Sequence, residues 1–258
     1  MSSGLFAKSS GSGTELVLLH GWGMNGDVWD TVAAPLAEGG RVTTLDLPGH
    51  GRSGTLDDYC LPAQAAHIAD SLPPRSVLIG WSLGGLIAQQ LALDFPRRIE
   101  ALVLVASSPR FVCGDDWPEA MQAGILESFA TELKTDYART INRFLAIQAL
   151  GGEHARDELR LLRERVFRHG EPRPAALAGG LDILMRADLR ARLPALRCPV
   201  LLVSGERDTL FPLAAARRTR ALLHDARLEV IAGAGHAPFL SHPGAFLETL
   251  QAFLDNLK

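Results

Sequence analysis

The sequence predicts an α/β fold, a mostly parallel central sheet flanked by helices and interrupted by a helical insertion. Three observations carry this. Short apolar runs recur along the chain, each ending in Gly, Pro, Asp or Ser. Several are apolar on both alternating faces, as strands covered by helices on both sides read. Helix-like stretches separate them, and one long region of amphipathic, arginine-bearing segments breaks the alternation.

The first apolar run is LVLL at residues 16–19. The stretch before it, MSSGLFAKSSGSG, lacks the basic start and long apolar run of a signal peptide. Its Ser/Gly-rich residues 9–13 read as a short turn. VTTL (42–45), VLIG (77–80), ALVLVA (101–106), VLLVS (200–204) and LEVI (228–231) read as the remaining strands. The clearest helices are residues 83–95 and 213–223. From 113 to 189 no run is strand-like, and 136–150 and 156–168 are amphipathic helices instead. So long an insertion in a compact domain is usually functional. The expected division is a single domain, with a core of residues 1–112 and 190–258 and a helical lid of residues 113–189.

A chain of 258 residues with 47% hydrophobic content has ample material for one large core. Its net charge of −3 gives no general basis for binding nucleic acid. Cys60, Cys113 and Cys198 are odd in number and far apart, so neither a disulfide framework nor a metal-ligand spacing is expected. No apolar run approaches the roughly 20 residues that span a bilayer. The expectation is a soluble, cytoplasmic, monomeric protein with reduced thiols.

The sharpest motif is Gly80-Trp81-Ser82-Leu83-Gly84, a G-x-S-x-G sequence between a strand-like run and a helix-like one. That context suits a nucleophile elbow, whose small residues allow a tight, strained turn presenting the Ser82 hydroxyl. A serine hydroxyl needs a base to take its proton. His236, in the small-residue loop GAGHAPF after the last strand-like run, is the best-placed candidate. His20 and His50 sit in turns, and His67, His154, His169, His224 and His242 in helical or polar contexts. The orienting acid belongs after a late strand, and Asp208 in VSGERD fits, with Glu206 as the near rival. Asp182 and Asp188 lie in the insertion. An oxyanion hole needs two donors: the Leu83 N–H behind the nucleophile, and the Trp22 N–H in the turn HGWG. The Trp22 and Trp81 side chains either wall the pocket or pack in the core.

The order Ser, Asp, His and the segments HGW, DLPGHGRS, GWSLGG and GAGHAPFLSHP resemble the α/β-hydrolase superfamily over nearly the whole chain. LLHGWGMNGDVWD, VASSPRF with a following DDWP, and RFLAIQALG are similar to one family within it, the pimeloyl-[acyl-carrier protein] methyl ester esterases of biotin synthesis. That resemblance implies a serine carboxylesterase that hydrolyses pimeloyl-acyl carrier protein methyl ester to pimeloyl-acyl carrier protein and methanol. It implies Ser82, Asp208 and His236 as the triad, with no metal or organic cofactor. Trp22 and Leu83 then match the oxyanion end of the site. Phe144, Leu145, Ala146, Ile147 and Gln148 match the family's acyl-contacting lid segment. Arg139 and Arg143 are four apart, as are Arg156 and Arg160, so each pair shares a helix face. The resemblance implies that these four bind the acidic acyl carrier protein. Otherwise they form a solvated face, paired with Glu153, Asp157, Glu158 and Glu164. A short-chain carboxylesterase acting on small esters, a carbon–carbon bond hydrolase or lyase, and a non-catalytic ligand receptor are the rival functions on this fold.

Overall fold

The computed structural model describes residues 4–150 and 152–257. The chain opens with β1 (Ala7–Gly11) and β2 (Thr14–Leu19), followed by α1 (Asp30–Leu36), β3 (Gly40–Leu45) and α2 (Leu61–Ala69). Then come β4 (Ser76–Trp81), α3 (Leu83–Asp94) and β5 (Ile99–Val105). Among the described residues, four helices separate β5 from the next strand: α4 (Ala123–Glu132), α5 (Tyr137–Ala149), α6 (Ala155–Val166) and α7 (Pro174–Arg186). The chain closes with β6 (Val200–Gly205), α8 (Leu213–Ala221), β7 (Ala226–Ile231), α9 (Pro238–Ser241) and α10 (Pro243–Asp255).

The seven strands form one sheet in the order β1-β3-β2-β4-β5-β6-β7. All neighbours are parallel except β1 and β3. β4 is buried along its whole length and β5 nearly so, which explains their uninterrupted apolar runs. The chain steps from β2 outward to β3, then returns to place β4 on the other side of β2. That reversal opens a crevice at the carboxyl ends of β2 and β4, where ligands bind in such sheets. The G-x-S-x-G turn and the HGWG turn both emerge there.

One expectation is corrected. Residues 9–13 do not form only a turn: β1 covers Ala7–Gly11 and pairs antiparallel with β3. Its side chains are exposed on both faces, so it carries no hydrophobic alternation to read. Pairing rests on the backbone ladder and on the Ser9 and Thr43 hydroxyls, 2.8 Å apart.

The four-helix insertion is tied to the core by buried anchors. Trp22 is fully buried, donates Nε1–H to the Leu177 carbonyl of α7 at 2.8 Å, and packs edge-on against Phe144 of α5. Burying such an aromatic contributes about 2–3 kcal/mol. Arg165 donates to the Val28 carbonyl and the Thr31 hydroxyl. Asp27 gathers Arg168, His169 and Arg52, and Arg52 grips Asp46 in a bidentate pair. Beside this network His20 and His50 are buried edge to face. His20 accepts the Leu47 N–H through Nε2, so its ring is neutral, and burial pushes its pKa down to about 3.

Candidate active site

Ser82 sits in the single-residue turn between β4 and α3, with φ 54° and ψ −117°. A non-glycine residue there stores about 1–3 kcal/mol of strain. Two hydrogen bonds hold it: Ser82 N–H donates to the Val105 carbonyl at 2.9 Å, and the Ser107 hydroxyl donates to the Ser82 carbonyl at 2.8 Å. Each contributes about 1 kcal/mol, and the burial of α3 behind the turn helps to offset the strain. Gly84 is required by close approach. A Cβ there would stand 2.4 Å from the Leu19 carbonyl and 2.5 Å from that of His20, so only glycine lets the elbow lie against β2.

Asp208 follows β6, and His236 sits in the loop after β7. His236 Nδ1–H donates to Asp208 Oδ2 at 2.8 Å, and both side chains are buried. The other Asp208 oxygen accepts the N–H groups of Leu210 and Phe211 at 2.9 and 2.8 Å. The carboxylate is thus fixed in place and aimed at the imidazole. Glu206, the rival acid, accepts the Gly233 N–H instead. The histidine backbone is held from both sides. Trp81 Nε1–H donates to the His236 carbonyl at 2.8 Å, and the His236 N–H donates to the Gln148 carbonyl of α5 at 3.3 Å. His236 Nε2 is buried and, among the described residues, has no hydrogen-bond partner.

Ser82 and His236 line one apolar cavity with Phe111, Met121, Leu126, Phe144, Leu184 and Leu210. About 10 Å³ of it is open to the centre of a water molecule, room for roughly one water. An acyl chain enters only if the overlying helices move. A larger recess of about 490 Å³ lies at the opposite, amino-terminal ends of β5 and β6, beside Ile99 and Pro199, away from this chemistry. The HGWG turn crosses the serine closely: a Cβ on Gly21 would meet the Ser82 Cβ at 3.4 Å. Leu83 opens α3 directly after the serine and Trp22 follows Gly21 in the HGWG turn, and among the described residues neither backbone N–H donates to a turn, loop or cap acceptor. Backbone N–H groups left available beside a serine hydroxyl are what an oxyanion hole requires.

The Trp22 and Trp81 side chains are core anchors and do not wall the cavity. Of the predicted acyl-contacting segment, Phe144 reaches the cavity, Leu145 is buried elsewhere, Ala146 is exposed and Ile147 is half-buried. Gln148 meets His236 through its backbone carbonyl. A helix turns only one face inward, so a five-residue segment does not line a pocket throughout. Arg139, Arg143, Arg156 and Arg160 are all exposed on α5 and α6. Arg143 pairs with Glu132 and lies 5.1 Å over the Phe129 ring, and Arg160 pairs with Asp157 at 3.8 Å. Among the described residues, the Arg139 and Arg156 side chains form no ion pair. The expected acidic partners are therefore corrected: Glu153 pairs with Arg207 and Glu164 with Arg168, while Glu158 is fully buried.

Glu158 was missed because its place in an acidic first turn of α6 looks like ordinary helix-dipole complementation. Among the described residues neither of its oxygens makes a hydrogen bond of good geometry, and the nearby Ala237 N–H only partly compensates its burial. Burial first, and the negative charge of Asp208 second, push its carboxyl up to about 8. It is a neutral acid at pH 7, packed beside the Asp208–His236 pair.

A family model described as the alpha/beta hydrolase fold matches residues 15–243. A protein of Xanthomonas oryzae pv. oryzae called "Pimeloyl-[acyl-carrier protein] methyl ester esterase" is 47% identical over 247 residues, covering 95% of this chain and 96% of its own length. One of the same name from Aeromonas hydrophila subsp. hydrophila is 46% identical over 246 residues, with the same coverage of both. Among solved structures, an esterase from Exiguobacterium antarcticum superposes with a TM-score of 0.89 at 25% identity, covering 97% of this chain and 95% of that one.

The raised Glu158 carboxyl predicts a pH-dependent stability. The folded chain holds this proton up to about pH 8, whereas the unfolded chain releases it near 4.5. Unfolding is therefore favoured increasingly as pH rises between those values, by up to about 3 kcal/mol at pH 7. Glu158→Gln keeps the neutral shape, so it raises the melting temperature by about 5 °C or more at pH 8. The gap closes as pH falls toward 5. Calorimetric scans across that range check it, and a gap independent of pH contradicts the assignment.

Proposed function

This chain belongs to the α/β-hydrolase family and, within it, to the pimeloyl-[acyl-carrier protein] methyl ester esterases, and on that premise we propose that it hydrolyses pimeloyl-acyl carrier protein methyl ester, using Ser82, His236 and Asp208. The observation that carries the reading is the Asp208–His236 hydrogen bond at 2.8 Å, with the free Nε2 of His236 buried at a cavity it shares with Ser82. Asp208 keeps the proton on Nδ1, leaving Nε2 as the base. That nitrogen takes the Ser82 proton as Oγ attacks the methyl ester carbonyl. The Trp22 and Leu83 N–H groups receive the oxyanion. Collapse breaks the carbon–methoxy bond, and the protonated His236 gives its proton to the leaving methoxide oxygen, which departs as methanol. Water, deprotonated by the same histidine, then cleaves the acyl-serine to give the free carboxylate and Ser82. No step calls for a metal or cofactor.

The acyl carrier protein docks on Arg139, Arg143, Arg156 and Arg160, on the outer faces of the two helices above the serine. Their exposure supports this. The Arg143–Glu132 pair joins an exposed arginine to a half-buried glutamate near the surface, where such a pair contributes about 1 kcal/mol, so an acidic partner can compete for Arg143. The cavity, acid, base and nucleophile all come from one chain, consistent with a monomer. Among the described residues no helix is long and apolar enough to cross a membrane. With three free cysteines, a cytoplasmic location fits.

Ser82→Ala is expected to abolish labelling by a fluorophosphonate and to lower ester turnover about 10⁴-fold or more, with an unchanged melting curve. Labelling that persists in this variant removes Ser82 from the mechanism. Arg139 and Arg156 suit the docking test, because their side chains hold nothing else together. Reversing both to Glu lowers kcat/KM for the carrier-bound ester about tenfold or more and leaves p-nitrophenyl acetate within about twofold. Equal losses on both substrates contradict docking there and favour a general short-chain esterase.

A further inference from the structure

Glu153 and His154 lie in the connection between α5 and α6, and His242 follows α9 in the segment that carries His236. One ligand atom from each lies within 4.8 Å of the others. The two imidazoles sit 5.1 Å apart between ring centroids. His242 Nδ1 is engaged with the Ser241 hydroxyl at 3.0 Å, which orients the ring and leaves Nε2 available. The same two segments are already joined by the backbone, through Glu153 N–H to the Gly233 carbonyl at 3.0 Å. Arg207 engages one Glu153 oxygen, and among the described residues no hydrogen bond is made to the other. Glu153 and His154 are exposed and His242 half-buried, so their rotamers have room to adjust.

We propose that Glu153, His154 and His242 form a site for a borderline transition-metal ion, best suited to Zn²⁺, that straps the lid to the segment bearing His236. Two imidazoles and one carboxylate match the donor preference of Zn²⁺ and leave a fourth position for water. Hard ions such as Mg²⁺ prefer all-oxygen sites and are poorly matched. Bond lengths of about 2.0–2.1 Å bring tetrahedral ligand atoms to about 3.3 Å apart, so the triangle contracts by about 1.5 Å at most. Contraction draws Glu153 and His154, just ahead of α6, onto the segment that carries His236. The cavity over Ser82 admits about one water in this arrangement, so a strapped lid excludes ester. The metal acts as a reversible inhibitor, independent of the triad's own chemistry.

The test titrates metal-stripped full-length protein with Zn²⁺ by calorimetry, beside His154→Ala and His242→Ala. The expected result is one tight equivalent in the parent, weakened about tenfold or more by either substitution, with no comparable Mg²⁺ binding. Equal Zn²⁺ affinity in all three proteins overturns the site. Binding is read without turnover, so its failure is distinct from failure of the esterase reading. Hydrolysis of p-nitrophenyl acetate then tests the strap. Zn²⁺ slows the parent, EDTA restores it, and His154→Ala has the parent's metal-free rate but resists Zn²⁺. Full activity in the zinc-loaded parent overturns the strap.

Discussion

The contact on which the site depends is the buried hydrogen bond from His236 Nδ1 to Asp208. It fixes which imidazole nitrogen is basic, and it places a carboxylate where an imidazolium needs a counter-charge. The surrounding structure serves to hold that pair. Leu210 and Phe211 saturate the second Asp208 oxygen. Trp81 holds the His236 carbonyl from the core, and Gln148 takes its N–H from the lid. One residue therefore couples the sheet, the late loops and α5, so a shift of α5 that breaks the Gln148 contact is felt at His236.

The lid shares its anchors with the core without sealing them. Trp22 holds α7 through the Leu177 carbonyl, Arg165 ties α6 to Val28 and Thr31, and Arg168, just after α6, reaches Asp27 in the network of Arg52 and Asp46. By contrast, α5 meets the site through one ring, Phe144, and one carbonyl, that of Gln148. α5 is nonetheless packed inward through buried Ile141, Phe144 and Leu145, and α6 through buried Leu162 and Val166. The exposed arginines sit on these same two helices. In the proposed function, a carrier that docks there pulls on the elements that close the cavity.

Much of this was legible in the residues. The strands buried on both faces announced themselves as continuous apolar runs, and the elbow at Ser82 by its glycines and flanks. Asp208 and His236 followed from where late strands end. What stayed hidden has physical causes. β1 is an exposed edge strand held by its backbone ladder, and it carries no pattern. Glu158 sits where a surface acid is expected, and only the packing of α6 against α9 and the late loops turns it inward. Trp22 and Trp81 gave no sign that their indole N–H groups position other segments, because those partners, Leu177 and His236, are each 155 residues away. Leu184 and Leu210, which line the cavity, look like any core leucine.

The central claim is that Ser82 attacks the methyl ester end of a carrier-bound chain. Rapid-quench mass spectrometry of the intact enzyme mixed with pimeloyl-acyl carrier protein methyl ester tests it most directly. Attack at the methyl ester releases methanol and leaves Ser82 covalently joined through the pimeloyl chain to the whole carrier protein, an adduct that decays at the rate of turnover. Attack at the thioester would free the carrier and leave a monomethyl pimeloyl group on Ser82. That smaller adduct, or turnover with no adduct at Ser82 under conditions that trap it, contradicts the account.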